Sequence, residues 1–70
     1  MKSCSEIGAE LRKLRGNKSR EEVAKATGVS TSAIAMYELG ARIPRDEVKV
    51  ALADYFGMSV GALFFGERVH

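Results

Sequence analysis

Arg20-Glu21-Glu22-Val23-Ala24-Lys25-Ala26-Thr27-Gly28-Val29-Ser30-Thr31-Ser32-Ala33-Ile34-Ala35-Met36-Tyr37-Glu38 is the stretch whose reading decides the fold. Two short helices that meet near a right angle need particular residue types at particular offsets. Ser19 with Glu22 three places on has the pattern of a capping box and opens the first of them. Gly28 closes it after about two turns, because a residue without a Cβ accepts the backbone that ends a helix. Val29 returns the chain to the core, and Ser30 caps a second helix running through Glu38. Ala24 is small where the helices approach, and Val23, Val29, Ile34 and Tyr37 supply the apolar contacts that hold the pair rigid. The other positions of the second helix face outward.

Upstream, Cys4, Ile7, Leu11 and Leu14 recur at spacings of three and four, one apolar stripe on a helix of residues 4 to 15. Ser3 and Glu6 make its capping box, and Gly16 and Asn17 stop it. Downstream, the loop Ala41-Arg42-Ile43 leads to Pro44, which suits a first helical turn, with Asp46 and Glu47 placed where the helix dipole favours acids. Val48, Ala51, Leu52, Tyr55 and Phe56 then form the broad apolar face of a fourth helix ended by Gly57. Ser59 caps a final turn or two carrying Leu63, Phe64 and Phe65, although Gly61 weakens that helix by roughly 1 kcal/mol relative to alanine. Period-2 alternation and internal repeats are absent. The sequence therefore predicts an all-α fold, a compact five-helix bundle in a single domain over residues 1–70, with a helix-turn-helix at about 20–39 formed by helices 2 and 3.

Seventy residues are too few for a two-layer enzyme fold with a deep cleft. The net charge is only +2, but it is unevenly spread. Lys2, Arg12, Lys13, Arg15, Lys18 and Arg20 face just Glu6 and Glu10 in the first twenty residues, so a polyanion would be met at that end. The one histidine, His70, and the one cysteine, Cys4, stand at opposite ends of the chain, which predicts no metal site. The acid pairs Glu21-Glu22 and Asp46-Glu47 fall in first helical turns, which accounts for them without catalysis. No Gly-rich phosphate loop is present, so neither a cofactor nor an enzymatic activity is expected. A lone cysteine points to a reducing cytosol. No apolar run approaches the roughly 20 residues needed to span a membrane, so a cytoplasmic protein is expected.

The run from Arg20 to Ser30, followed by Ile34, Tyr37-Glu38, Gly40 and Arg42-Ile43-Pro44, resembles the phage-repressor, Cro and Xre family of helix-turn-helix proteins. The later segments Ala51-Leu52-Ala53-Asp54-Tyr55-Phe56-Gly57-Met58-Ser59-Val60 and Leu63-Phe64-Phe65-Gly66 resemble that family's fourth and fifth helices, so the likeness covers nearly the whole chain. The resemblance implies a lambda-repressor-like DNA-binding domain with helix 3, about residues 30–38, in the major groove. By motif position Ser30, Thr31, Ser32, Ala35 and Met36 would contact bases. Thr31 and Ser32 can hydrogen-bond to several bases, while Ala35 and Met36 offer apolar contact to a thymine methyl. The competing reading is that Ser30, Thr31 and Ser32 merely cap and solvate the helix. Relatives usually carry glutamine at the first position of helix 2, where this chain has Arg20; the change keeps a phosphate donor and adds a charge. Arg42 and Lys18 are the other implied phosphate contacts. Relatives also pair an arginine late in helix 1 with a glutamate ending helix 3, which implies an Arg15–Glu38 ion pair. The connection Gly16-Asn17-Lys18 is shorter than in many relatives.

These readings converge on a sequence-specific, double-stranded DNA-binding transcriptional regulator, a repressor that occupies an operator as a homodimer. Met58, Val60, Phe64 and Phe65 exceed what a small core needs and are candidates for the dimer contact; their alternative is packing on helices 1 and 4. A second reading keeps the fold and changes the task, to a protein-interaction module such as an antitoxin or the target of a protein antagonist.

Overall fold

The structure is a computed structural model and describes residues 1–66. Serine hydroxyls begin most of its helices. Ser3, Ser19, Ser30 and Ser59 each accept the backbone N–H three residues on, from Glu6, Glu22, Ala33 and Ala62, at 3.0–3.1 Å. Each such cap is worth about 1 kcal/mol. They open α1 (Cys4–Arg15), α2 (Arg20–Thr27), α3 (Thr31–Glu38) and α5 (Val60–Phe64). The Ser3 box is reciprocal, with the Glu6 carboxylate accepting the Ser3 N–H at 3.0 Å, whereas at Ser19 only the hydroxyl half is made.

α4 (Asp46–Phe56) starts differently from the expectation. Pro44 is not in its first turn. Arg45 is the N-cap, with no side-chain cap bond, and Pro44 is buried ahead of the helix. A proline ring that fixes φ near −65° suits an extended approach as well as a first turn, and here burial decides between them. Asp46 and Glu47 still occupy the first turn. At the end of α1, Gly16 alone takes a positive φ, so Asn17 has no part in the left-handed stop.

Ile7, Leu11, Val23, Ile34, Tyr37, Leu52, Ala53, Leu63 and Phe64 form one core drawn from all five helices. α1 makes its main contact with α3, α2 lies on α3 and α4, and α5 closes the bundle against α4 and α1. The α1–α3 contact is close because Gly8 has no side chain: a Cβ there would lie 2.5 Å from the Glu38 carbonyl oxygen and 2.6 Å from that of Tyr37. The Lys2 N–H donates to the Phe64 carbonyl at 2.9 Å and ties the N-terminal residues to the end of α5. Among the described residues there is no strand, and the all-helical fold class and order agree with the sequence reading.

A further sequence expectation is overturned at Phe64. Phe64 is fully buried, so it cannot serve as a dimer contact, and Met58 and Val60 pack half-buried on the same core. The alternative of packing inside the fold holds for Phe64, while Met58 and Val60 keep part of their surface exposed. Phe65 alone of the four is exposed, with its ring 5.2 Å from the Lys49 ammonium. His70 lies outside the described residues.

Candidate nucleic-acid interface

α3 is anchored by one face and offers the other. Ile34 and Tyr37 are buried, while Ser30 and Ser32 are exposed, Thr31 and Ala35 are half-buried, and Met36 is 38% exposed. Ser30 spends one acceptor lone pair on the Ala33 N–H, which leaves its O–H able to donate outward. The capping reading and the contact reading of Ser30 are therefore compatible. At the other end Gly40 N–H bonds to Tyr37 O at 3.1 Å and Ala41 N–H to Met36 O at 2.9 Å, with Gly40 at φ +74°. This Schellman closure stops the helix sharply and fixes the start of the loop that carries exposed Arg42.

Three helix ends meet at Glu38. Arg15, the last residue of α1, donates Nε to Glu38 Oε2 at 2.7 Å and Nη2 to Oε1 at 3.0 Å. Its Nη1 reaches the Lys18 carbonyl at 2.8 Å, so the guanidinium also pins the α1–α2 connection. Arg20, the first residue of α2, donates its Nε to Glu38 Oε1 at 3.0 Å. The Glu38 side chain is 2% exposed, against 17% for Arg15 and 38% for Arg20. Burial alone pushes the Glu38 carboxyl up, but the hydrogen bonds and charges of the two arginines outweigh it and hold its pKa below the ordinary value. The Arg15 guanidinium is pushed up in turn by its bond to Glu38. The result is a fixed, charged junction directly behind α3.

A family model described as Helix-turn-helix matches residues 9–63, which spans α2, α3 and α4 entire. The chain belongs to the Cro/Xre-type helix-turn-helix family. No curated protein and no solved structure matches it. As a member of that family it is a DNA-binding transcription regulator, and the family is one of regulators rather than enzymes. Among the described residues no group of acids, histidine or cysteine is arranged to hold a metal ion, and no helix is long and apolar enough to cross a membrane.

In this helix-turn-helix regulator the sequence-derived phosphate candidates occupy unlike surroundings. Arg42 is exposed in the loop after α3. Lys18 is exposed, but its ammonium lies over the Tyr55 ring at 4.9 Å, a cation–π contact that orients it from α4. Arg20 is committed by one nitrogen to Glu38. Sequence reasoning missed the Arg20–Glu38 and Lys18–Tyr55 contacts, which join residues distant in the chain. It also missed Leu39, the C-cap of α3, which is 73% exposed. Its signal was legible: Ser32, Ala35, Met36 and Leu39 share one helical face, opposite Ile34 and Tyr37. An open groove of about 440 Å³ runs beside Leu39 and the outer face of α1, lined by Ser5, Ala9, Arg12 and Lys13.

Proposed function

We propose that this regulator is a sequence-specific operator-binding repressor that acts in the cytoplasm as a single domain, placing α3 in the major groove of double-stranded DNA. The observation that carries the reading is the division of α3 into a buried anchoring face at Ile34 and Tyr37 and an outward face on which Ser30, Ser32 and Met36 are exposed and Thr31 and Ala35 half-buried. On that face Ser30, Thr31 and Ser32 are the hydrogen-bonding contacts to bases, and Ala35 and Met36 the apolar ones. Arg20, Arg42 and Lys18 bind phosphates and set the register. Repression follows from occupancy by a two-fold dimer whose paired helices sit about 34 Å apart, matching half-sites one turn apart. Selecting bound fragments from the host's own DNA at physiological salt tests this. An enriched sequence with steeply salt-dependent affinity supports it, and enrichment no better than random duplex rejects it.

One observation favours the second reading, a protein-interaction module such as an antitoxin. Leu39 is 73% exposed at the end of the reading face, with Ile43 44% exposed beyond it, and neither is suited to a phosphate. Affinity for a protein partner that survives Leu39→Asp would reject this use of the patch.

A further inference from the structure

The junction at Glu38 is electrostatically unbalanced. Two guanidinium groups share one carboxylate, and each member of the Arg20–Glu38 pair stands at the unfavourable end of its own helix. Arg20 is at the positive N-terminus of α2, and Glu38 at the negative C-terminus of α3. Neither is placed for the benefit of its own helix. Arg15 has donated Nε, Nη1 and Nη2 within the protein and is nearly covered. Arg20 has donated only Nε; its two terminal nitrogens have no protein partner among the described residues, and the side chain is the more exposed of the two.

From this geometry we propose that Glu38 is a positioning residue for the DNA backbone: it grips Arg20 by Nε, so that the terminal edge of the guanidinium is presented, pre-oriented, to a phosphate. The phosphate supplies the fourth charge and completes the balance. A planar fork can bind a carboxylate through Nε and a phosphate through its two terminal nitrogens at once, which a lysine cannot do. Seating of α3 and the grip of α2 on the backbone then become one event, because Glu38 belongs to the first and holds the second. The inference rests on the DNA-binding reading and names a residue that touches no DNA.

The test uses the full chain, the enriched duplex and a random duplex, with R20Q, R20K, E38Q and the double variant R20Q/E38Q. R20Q should weaken both duplexes alike and flatten the plot of log affinity against log salt by about 0.9. The ratio of wild-type to R20Q affinity should accordingly shrink about threefold between roughly 50 and 200 mM salt. R20K should keep the wild-type slope and still bind more weakly. E38Q is the decisive arm, since loss of an acid strengthens DNA binding by charge alone. Positioning requires instead that E38Q weaken binding to the random duplex and that this loss vanish in the R20Q background. A wild-type slope in R20Q, or an E38Q loss that persists without Arg20, overturns the proposal. If E38Q fails to fold, R20K decides: binding equal to wild type refutes the oriented fork. A wild-type chain that bound no duplex would reject the DNA reading itself, whereas a binding wild type with an unaltered R20Q rejects this inference alone.

Discussion

Replacing Gly8 with alanine adds one methyl group at the closest approach between α1 and α3. That methyl would sit 2.5 Å from Glu38 O, 2.6 Å from Tyr37 O and 2.9 Å from Glu38 C. All three are backbone atoms of the last turn of α3, so no side chain can rotate away. Restoring ordinary contact needs the helices to part by roughly 1 Å, enough to forfeit a quarter to a half of the dispersion energy across their interface. Gly40 marks a second close approach to α1, where an added Cβ would lie 3.3 Å from the Ser5 backbone. Against this stands the gain in helix propensity, about 1 kcal/mol. Overpacking at a rigid contact costs typically 1–3 kcal/mol and more where backbone must move, so a net loss of about 2 kcal/mol is expected. For a domain of this size that lowers the melting temperature by about 10 °C, read by far-ultraviolet circular dichroism. The shift displaces the Glu38 backbone too, so operator affinity should fall with stability. A melting temperature equal to or above wild type would refute the close-packing argument, because propensity alone would then have won.

Glu38→Ala strands two arginines that are not fully exposed, and should cost about 2–3 kcal/mol in a chemical denaturation series while also lowering DNA affinity; unchanged stability would reject the junction as a structural element. The same carboxylate sets an acid dependence. Its folded pKa lies below the unfolded one, so its stabilisation is complete above the unfolded carboxylate range, near 4.3, and is lost as pH falls through the folded value. Melting temperatures from about pH 6 down to 2 should therefore fall more steeply for wild type than for Glu38→Gln, and parallel curves would contradict the assignment. Phe64→Ala should cost about 3–5 kcal/mol by emptying the core, whereas Phe65→Ser, at a half-exposed ring, should cost only about 1–2 kcal/mol. If sedimentation shows a concentration-dependent dimer that Phe65→Ser leaves intact, the dimer contact lies elsewhere.

What the sequence made legible follows from the range of each interaction. Helix starts rest on contacts three residues long, and Ser3, Ser19, Ser30 and Ser59 were readable for that reason. The start of α4 is not fixed by local sequence, because proline is compatible with both the first turn and the residue before the cap, and burial of its ring is a tertiary property. A five-residue helix has too few positions to define a face, so local pattern does not separate buried Phe64 from exposed Phe65. The resemblance implies that Glu38 meets Arg15; its second partner, Arg20, lies eighteen residues away on another helix, a separation that no local pattern spans. Gly8 is legible as a packing position from helix geometry alone: it shares a face with Cys4, Ile7 and Leu11, where a missing side chain means close approach.

The contrast between a well-determined junction and a sparse reading face bears on how an operator would be chosen. A specific site is typically preferred by about 4–10 kcal/mol over random sequence, and a bidentate side-chain pair supplies about 1–3 kcal/mol of it. Thr31, Ser32, Ala35 and Met36 include no bidentate reader. One copy of α3 therefore falls short, and extra arginine on the backbone does not help, since phosphate contacts strengthen every sequence equally. Two routes remain within the proposed function. A two-fold dimer doubles the base contacts, and rigid presentation lets mismatched DNA shape be rejected, because a reading head fixed by Gly8 packing and the Glu38 junction cannot adjust to a groove of the wrong width. On the second route the junction would serve recognition as well as stability: rigidity behind α3 would make up in geometric selectivity for what its side chains lack in hydrogen bonds.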